Sequence, residues 1–167
     1  YRDARRFGYA GLIAANEIAC HPWLSKLGPE PLSDAFDSHH LAALCRGRKA
    51  PIKTIIMDAA NVVGVGNIYA AESLFRAGIH PARAAGRISN KRLRLLVTAI
   101  KQVLLEAIEA GGSTISDFVK ADGKPGYFAH SFQVYGRDGE PCLRCDKQIK
   151  RIVQAGRSSF YCPGCQF

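Results

Sequence analysis

Two Cys-X-X-Cys pairs close to the C-terminal end, Cys142-Leu-Arg-Cys145 and Cys162-Pro-Gly-Cys165, constrain this chain more than any other feature. Sixteen residues separate them, the spacing of a four-thiolate zinc site in which each pair bends as a knuckle and the intervening stretch returns as a hairpin. A segment this short buries too little apolar surface to offset its conformational entropy, so a metal is what makes it a fold. Two disulfides, or a pair of redox dithiols, are the rival readings. Redox motifs come singly beside a βαβ pattern, and secreted disulfide frameworks are denser in cysteine than six in 167 residues, so the spacing favours one structural Zn2+ held by Cys142, Cys145, Cys162 and Cys165. Cys20 and Cys45 lie among apolar neighbours and are expected to be buried thiols.

Charge points to a polyanionic partner. The chain carries +9, and from Cys142 to Phe167 five bases (Arg144, Lys147, Lys150, Arg151, Arg157) face one acid, Asp146. A basic ribbon suits phosphate, with a merely solvated lysine- and arginine-studded surface as the alternative. No signal peptide opens the sequence, no apolar run approaches membrane-spanning length, and no helix pairs a basic face with exposed aromatics, so a cytoplasmic protein without membrane contact is expected.

Reading along the chain, Tyr1 to Tyr9 resembles a strand, followed by a connector marked by His21-Pro22 and Gly28-Pro29-Glu30-Pro31. Ser33 and Asp34 can cap a helix carrying Phe36, Leu41 and Leu44 that Gly47 ends. A short helix runs from Pro51 to about Ala59, a third from about Asn67 to Ala77, and the longest over 89–110. Its apolar positions Leu93, Leu96, Val97, Ile100, Val103, Leu104, Ala107 and Ile108 form one stripe at helical spacing, with Ser89 as N-cap and Gly111-Gly112 as the stop. Ser113 to His130 is polar and longer than an ordinary connection. Phe132-Gln-Val-Tyr135 alternates as a strand does. The chain therefore divides into a remnant strand and linker (1–30), a helical domain (31–130) and a finger (131–167), and the fold class is mainly α with a small β-hairpin zinc finger.

A second candidate site is Val62-Val-Gly-Val-Gly66-Asn67-Ile-Tyr-Ala70, two glycines and an asparagine directly before a helix. Backbone N–H groups at such a turn form an anion cradle; a tight interhelical turn with Asn67 as N-cap is the other reading. Lys53, one helix earlier, either adds a charge to the same phosphate or is solvated. The five histidines fit no metal spacing.

Taken together, these residues resemble the C-terminal part of the bacterial formamidopyrimidine-DNA glycosylases. Asp3-Ala-Arg-Arg-Phe-Gly8 is similar to the family's DPRRFG strand and Val62 to Ala71 to its VVGVGNIYA turn. Gly112-Gly-Ser-Thr114 with Asp122-Gly-Lys-Pro-Gly-Tyr-Phe128 is similar to its lesion-side loop, and Val134-Tyr-Gly-Arg137 with the four cysteines to its finger. The DGKPGYF stretch favours this branch over the endonuclease VIII-like oxidised-pyrimidine glycosylases, which share the helix-two-turn-helix and the finger.

The resemblance implies a helix-two-turn-helix DNA-binding domain and a base-excision role on double-stranded DNA containing oxidised purines or abasic sites, with the protein a monomer. Arg5 and Phe7 then match the pair that fills the space left by an extruded nucleotide, an ordinary strand being the alternative. Lys53, Gly66 and Asn67 match phosphate-holding positions, and Arg157 matches the finger arginine whose planar fork grips the backbone, against a solvated hairpin tip. Ser113, Thr114, Lys124 and Tyr127 fall in the loop that closes over the base. One departure stands out. The family's nucleophile is the amine of an N-terminal proline followed by glutamate, whereas this sequence opens at Tyr1, so these residues are expected to bind DNA with salt sensitivity and to lack glycosylase and lyase activity alone. A double-Cys-X-X-Cys redox protein and a non-enzymatic zinc-ribbon nucleic-acid-binding module are the remaining alternatives.

Overall fold

A computed structural model describes Gly8, residues 10–112 and residues 132–167. Arg5, Phe7, Ser113, Thr114, Lys124 and Tyr127 lie outside the described residues, as does the predicted strand over Tyr1 to Tyr9, apart from Gly8. Four α-helices are followed by one hairpin: α1 (Ser38–Cys45), α2 (Ile52–Met57), α3 (Asn67–Arg76), α4 (Asn90–Glu109), β1 (Lys150–Gln154) and β2 (Arg157–Tyr161). Short 3-10 turns occupy Ala15–Cys20 and Ala85–Arg87. Helix of both kinds accounts for 38% of the described residues, and the helices precede a small two-stranded finger as expected.

The α4 stripe builds the core. Leu93, Leu96, Val97, Ile100, Val103, Leu104 and Ala107 are buried on one face, and most of them join Phe36, Leu41, Ile52, Ile56, Leu74 and Ile79 in a single cluster. Helical spacing is what lets one face dry while the other stays wet. Ile108, expected in the stripe, is 64% exposed, because the helix turns it outward one residue after Ala107. Gly111 and Gly112, both at positive φ, end the helix. Arg76 of α3 donates both terminal nitrogens to Glu106 of α4 at 2.6 Å, a bidentate geometry that pins the two helices.

Local caps depart from expectation in two places. Asp37, not Ser33 or Asp34, opens α1, its Oδ1 accepting from the His40 N–H at 2.7 Å. That bond stabilises the carboxylate and holds its pKa below the ordinary value, with His39 acting in the same direction. Ser89 occupies the N-cap of α4 without a side-chain capping bond. Cys45 is buried, which pushes its thiol up to about 11. Cys20, by contrast, is exposed on a 3-10 turn whose apolar neighbours, including Ile18, are exposed too.

Phe132 to Tyr135 does not form a strand. The N–H groups of Gln133, Val134 and Tyr135 all donate to the Glu72 carboxylate at 2.9–3.0 Å. Successive N–H groups of a strand point to opposite sides, so three converging on one carboxylate exclude it. Glu72 is 1% exposed. Beside it, Ala71 and Phe75 of α3 pack against Val134, Cys142, Ile149, Phe160 and Cys162, so the finger and α3 share an apolar cluster.

Candidate nucleic-acid interface and metal centre

The metal centre follows from the knuckles. Arg144 N–H points to Cys142 Sγ and Gly164 N–H to Cys162 Sγ, each at 3.4 Å, so each turn draws its backbone donor toward a sulfur. All four sulfurs lie within 4.8 Å of one another, with Cys145 Sγ at 3.4 Å from both Cys162 and Cys165 and Cys142 at 3.9 Å from Cys165. Tetrahedral bonds of about 2.3 Å put sulfurs about 3.8 Å apart, whereas a disulfide needs about 2.05 Å. The cysteines are free of disulfides, and the donor set fits a structural zinc. Gly164 is required for that closeness: a Cβ there would stand 2.9 Å from Cys145 Sγ and 2.7 Å from Lys147 Cδ.

Between the knuckles, β1 and β2 pair antiparallel with Gln154 opposite Arg157. Ala155 and Gly156 turn the chain at φ 46° and 73°, the left-handed pair of a two-residue hairpin. That turn leaves Arg157 exposed at the tip.

Below the tip, three elements meet. Lys53 of α2 donates its Nζ to Asn67 Oδ1 at 2.5 Å, to Ser159 Oγ at 2.6 Å and to the Ser158 carbonyl at 3.1 Å. Asn67 Nδ2 also reaches the Ser158 carbonyl, at 3.1 Å. Lys53 is 2% exposed, which excludes the solvated lysine that was the alternative to one adding charge to a phosphate. All three of its protons are committed inside the protein. Burial pushes this ammonium down to about 8, and the positive charge of Arg157 pushes the same way. Lys53, Asn67 and Arg157, far apart in sequence, thus share one place.

Gly66, not Asn67, holds the N-cap of α3, and no side chain caps that end. Asn67 is the first helical residue, its side chain turned to Lys53 and the finger instead. Gly64 has φ +76°, but Gly66 has φ −77°, and a Cβ at Gly66 would meet nothing within 4 Å. Gly66 is exposed, so an acceptor can approach the N-terminus of α3 at this turn. Ser158, Ser159 and Glu72 were invisible to sequence reasoning, since no local pattern marks a serine that accepts from a lysine more than a hundred positions away.

Comparison with known proteins agrees with this geometry. Residues 27–119 match the profile described as the formamidopyrimidine-DNA glycosylase H2TH domain, and residues 139–166 match the zinc finger found in FPG and IleRS. The chain belongs to the formamidopyrimidine-DNA glycosylase family. It is 57% identical over 166 residues to the formamidopyrimidine-DNA glycosylase of Alcanivorax borkumensis, covering 99% of this chain and 61% of that protein. To the Phenylobacterium zucineum enzyme of the same name it is 55% identical over 168 residues, covering 99% and 58%. The chain thus spans about 60% of the length of these curated relatives. Among solved structures, MutM (FPG) from Thermus thermophilus superposes with TM-score 0.82 at 44% identity, covering 87% of this chain and 55% of that one. The Lactococcus lactis enzyme, solved non-covalently bound to DNA containing an abasic site, superposes with TM-score 0.87 at 35% identity, covering 98% and 59%. No helix among the described residues is long and apolar enough to cross a membrane.

Proposed function

We propose that these residues are the DNA-gripping part of a bacterial base-excision repair glycosylase and AP lyase acting on oxidised purines, 8-oxoguanine and formamidopyrimidines, in duplex DNA. The observation that carries this reading is the open N-terminus of α3 beside Asn67, backed by a buried ammonium and overhung by Arg157. An anion seated there would receive backbone N–H bonds, the Asn67 amide edge and a bidentate guanidinium. Lys53 would act as a fixed charge behind Asn67 and orient its amide, rather than reach the phosphate itself. Lactococcus lactis Fpg has been solved with abasic-site and Fapy-dG DNA, which supports duplex DNA carrying such lesions as the ligand here.

In this reading Arg5 and Phe7 fill the vacated stack, and Ser113, Thr114, Lys124 and Tyr127 contact the extruded base. The linker (1–30), helical (31–130) and finger (131–167) parts act together, in a monomer working at the nucleoid in the bacterial cytoplasm. Grip is assigned to these residues and the reacting amine to an N-terminal Pro-Glu, so borohydride should trap no imine with this chain alone.

Gly66→Ala tests the grip. Because the added methyl meets no protein atom, the variant should keep its melting temperature yet lose about tenfold or more in affinity for abasic-site duplex, the methyl standing where the phosphate approaches. Unchanged affinity with intact folding would overturn the reading.

A further inference from the structure

Beyond Lys53 the charge continues along a surface that the grip does not use. No Asp or Glu occurs from Ser38 to Met57 or from Ser73 to Leu105. The fold brings the most basic parts of these two runs side by side. Ile52 N–H donates to the Arg83 carbonyl, Ala85 N–H to the Ala50 carbonyl and Gly86 N–H to the Arg48 carbonyl, each at 2.9 Å, and Pro51 and Ala84 form an isolated bridge. The approach is close: a Cβ at Gly86 would sit 3.0 Å from Arg48 N and 3.1 Å from its carbonyl oxygen.

Arg46, Arg48 and Lys49 on one segment and Arg87 on the other are exposed, with Arg83 half-buried between them and the grip. Among the described residues none of these five side chains makes an ion pair or a hydrogen bond, and the buried Nε of Arg83 has no partner. Like charges are crowded here, since burial and the neighbouring Arg83 both lower Arg92. Five cations held together without counter-charge repel one another, and the fold draws no compensation from its own residues. The strip joins the grip directly, because the Pro81 carbonyl accepts from Lys53 N–H at 3.4 Å and from Gln154 Nε2 of the finger at 3.3 Å.

We infer that the paired segments 46–49 and 83–87 form a second phosphate track that carries the duplex flanking the lesion away from the Lys53, Asn67 and Arg157 grip. This inference rests on the proposed DNA-binding function and adds to it a surface that reads no bases. Continuity with the grip selects the same duplex as the occupant, in preference to an anionic lipid surface or a separate RNA.

The test compares zinc-loaded parent protein with the triple variant Arg48→Ala, Lys49→Ala and Arg87→Ala. Each is titrated with two abasic-site duplexes, one just spanning the grip and one extended on both sides, over a range of salt. With the extended duplex the variant should lose tenfold or more in affinity, and the slope of log affinity against log salt should flatten by about 2 to 3, at about 0.9 per lost phosphate contact. With the short duplex the two proteins should bind alike, and the all-lysine variant Arg48→Lys, Arg87→Lys should restore the slope. Equal slopes on the extended duplex, with a melting temperature matching the parent, overturn the track while leaving the grip intact. Failure of the parent to bind either duplex overturns the grip, and the track with it. Loss of binding to anionic vesicles without loss on extended DNA assigns the strip to a membrane and also overturns it.

Discussion

Lys53 shows how much one buried charge can decide. An ammonium beneath a positively charged arginine costs the folded state free energy, and three oxygen acceptors offset that cost without restoring water. Its pKa is lowered from 10.5 to about 8. Between those values the unfolded chain holds a proton that the folded chain has released, so stability rises with pH across that window and the full cost of charging is present below 8. DNA binding should run the other way, because a nearby phosphate favours the protonated form and affinity falls above about pH 8. Thermal melts and duplex titrations from pH 7 to about 10.5 check this against Lys53→Met, which should show neither trend. Parallel curves for the two proteins would refute the assignment. That Lys53 matters was legible from its place before the glycine turn. Its burial was not, since the acceptors that keep it inside come from the finger.

At the scale of elements, α3 does three things along ten residues. Its N-terminus lies at the exposed Gly66 turn, its middle carries Glu72 and its end carries Arg76. The Glu106 hydrogen bonds, and to a smaller extent the charge at Glu72, favour the Arg76 guanidinium, so one acid, Glu72, supports both the segment that enters the finger and the α3–α4 clamp. Glu72→Gln replaces one acceptor oxygen with a donor facing a backbone N–H. The resulting unsatisfied pair should cost about 1 to 3 kcal/mol, read as a lower denaturant midpoint with an unchanged slope. An unmoved midpoint would show that the carboxylate is dispensable. Helix positions were readable from apolar spacing and glycine stops, and Ser89 holds the N-cap expected of it, whereas at α1 and α3 Asp37 and Gly66 took roles assigned to their neighbours. Short-range signals compete at helix ends, and tertiary contacts choose among them. The hairpin turn was likewise weakly signalled, because Ala155-Gly156 lacks the asparagine or aspartate that usually marks it.

Across the whole molecule, the finger is less an appendage than part of the helical body. It covers Ala71 and Phe75, with Arg144 stacked 4.3 Å over the Phe75 ring, and it supplies two of the three acceptors of Lys53. Removing zinc should therefore weaken more than the finger, since it uncovers an apolar face of α3 and strips partners from a buried charge. Chelation is expected to release one zinc per chain, lower the melting temperature of the helical circular-dichroism signal and abolish duplex binding together. Helices that melt unchanged after chelation would show that the two parts are energetically separate.

What residue order determined by itself is whatever depends on near neighbours. Four sulfurs at knuckle spacing, a twenty-residue amphipathic helix ended by two glycines and a glycine-asparagine turn before a helix are each written in one continuous stretch of sequence. Tertiary structure decided what depends on distant partners. It turned Lys53 inward, bent Phe132 to Tyr135 around Glu72, left Cys20 and Ile108 in solvent and set two acid-free runs side by side. A side chain's burial and a buried charge's partner are set by segments that meet only after the chain has closed, and no local pattern encodes them.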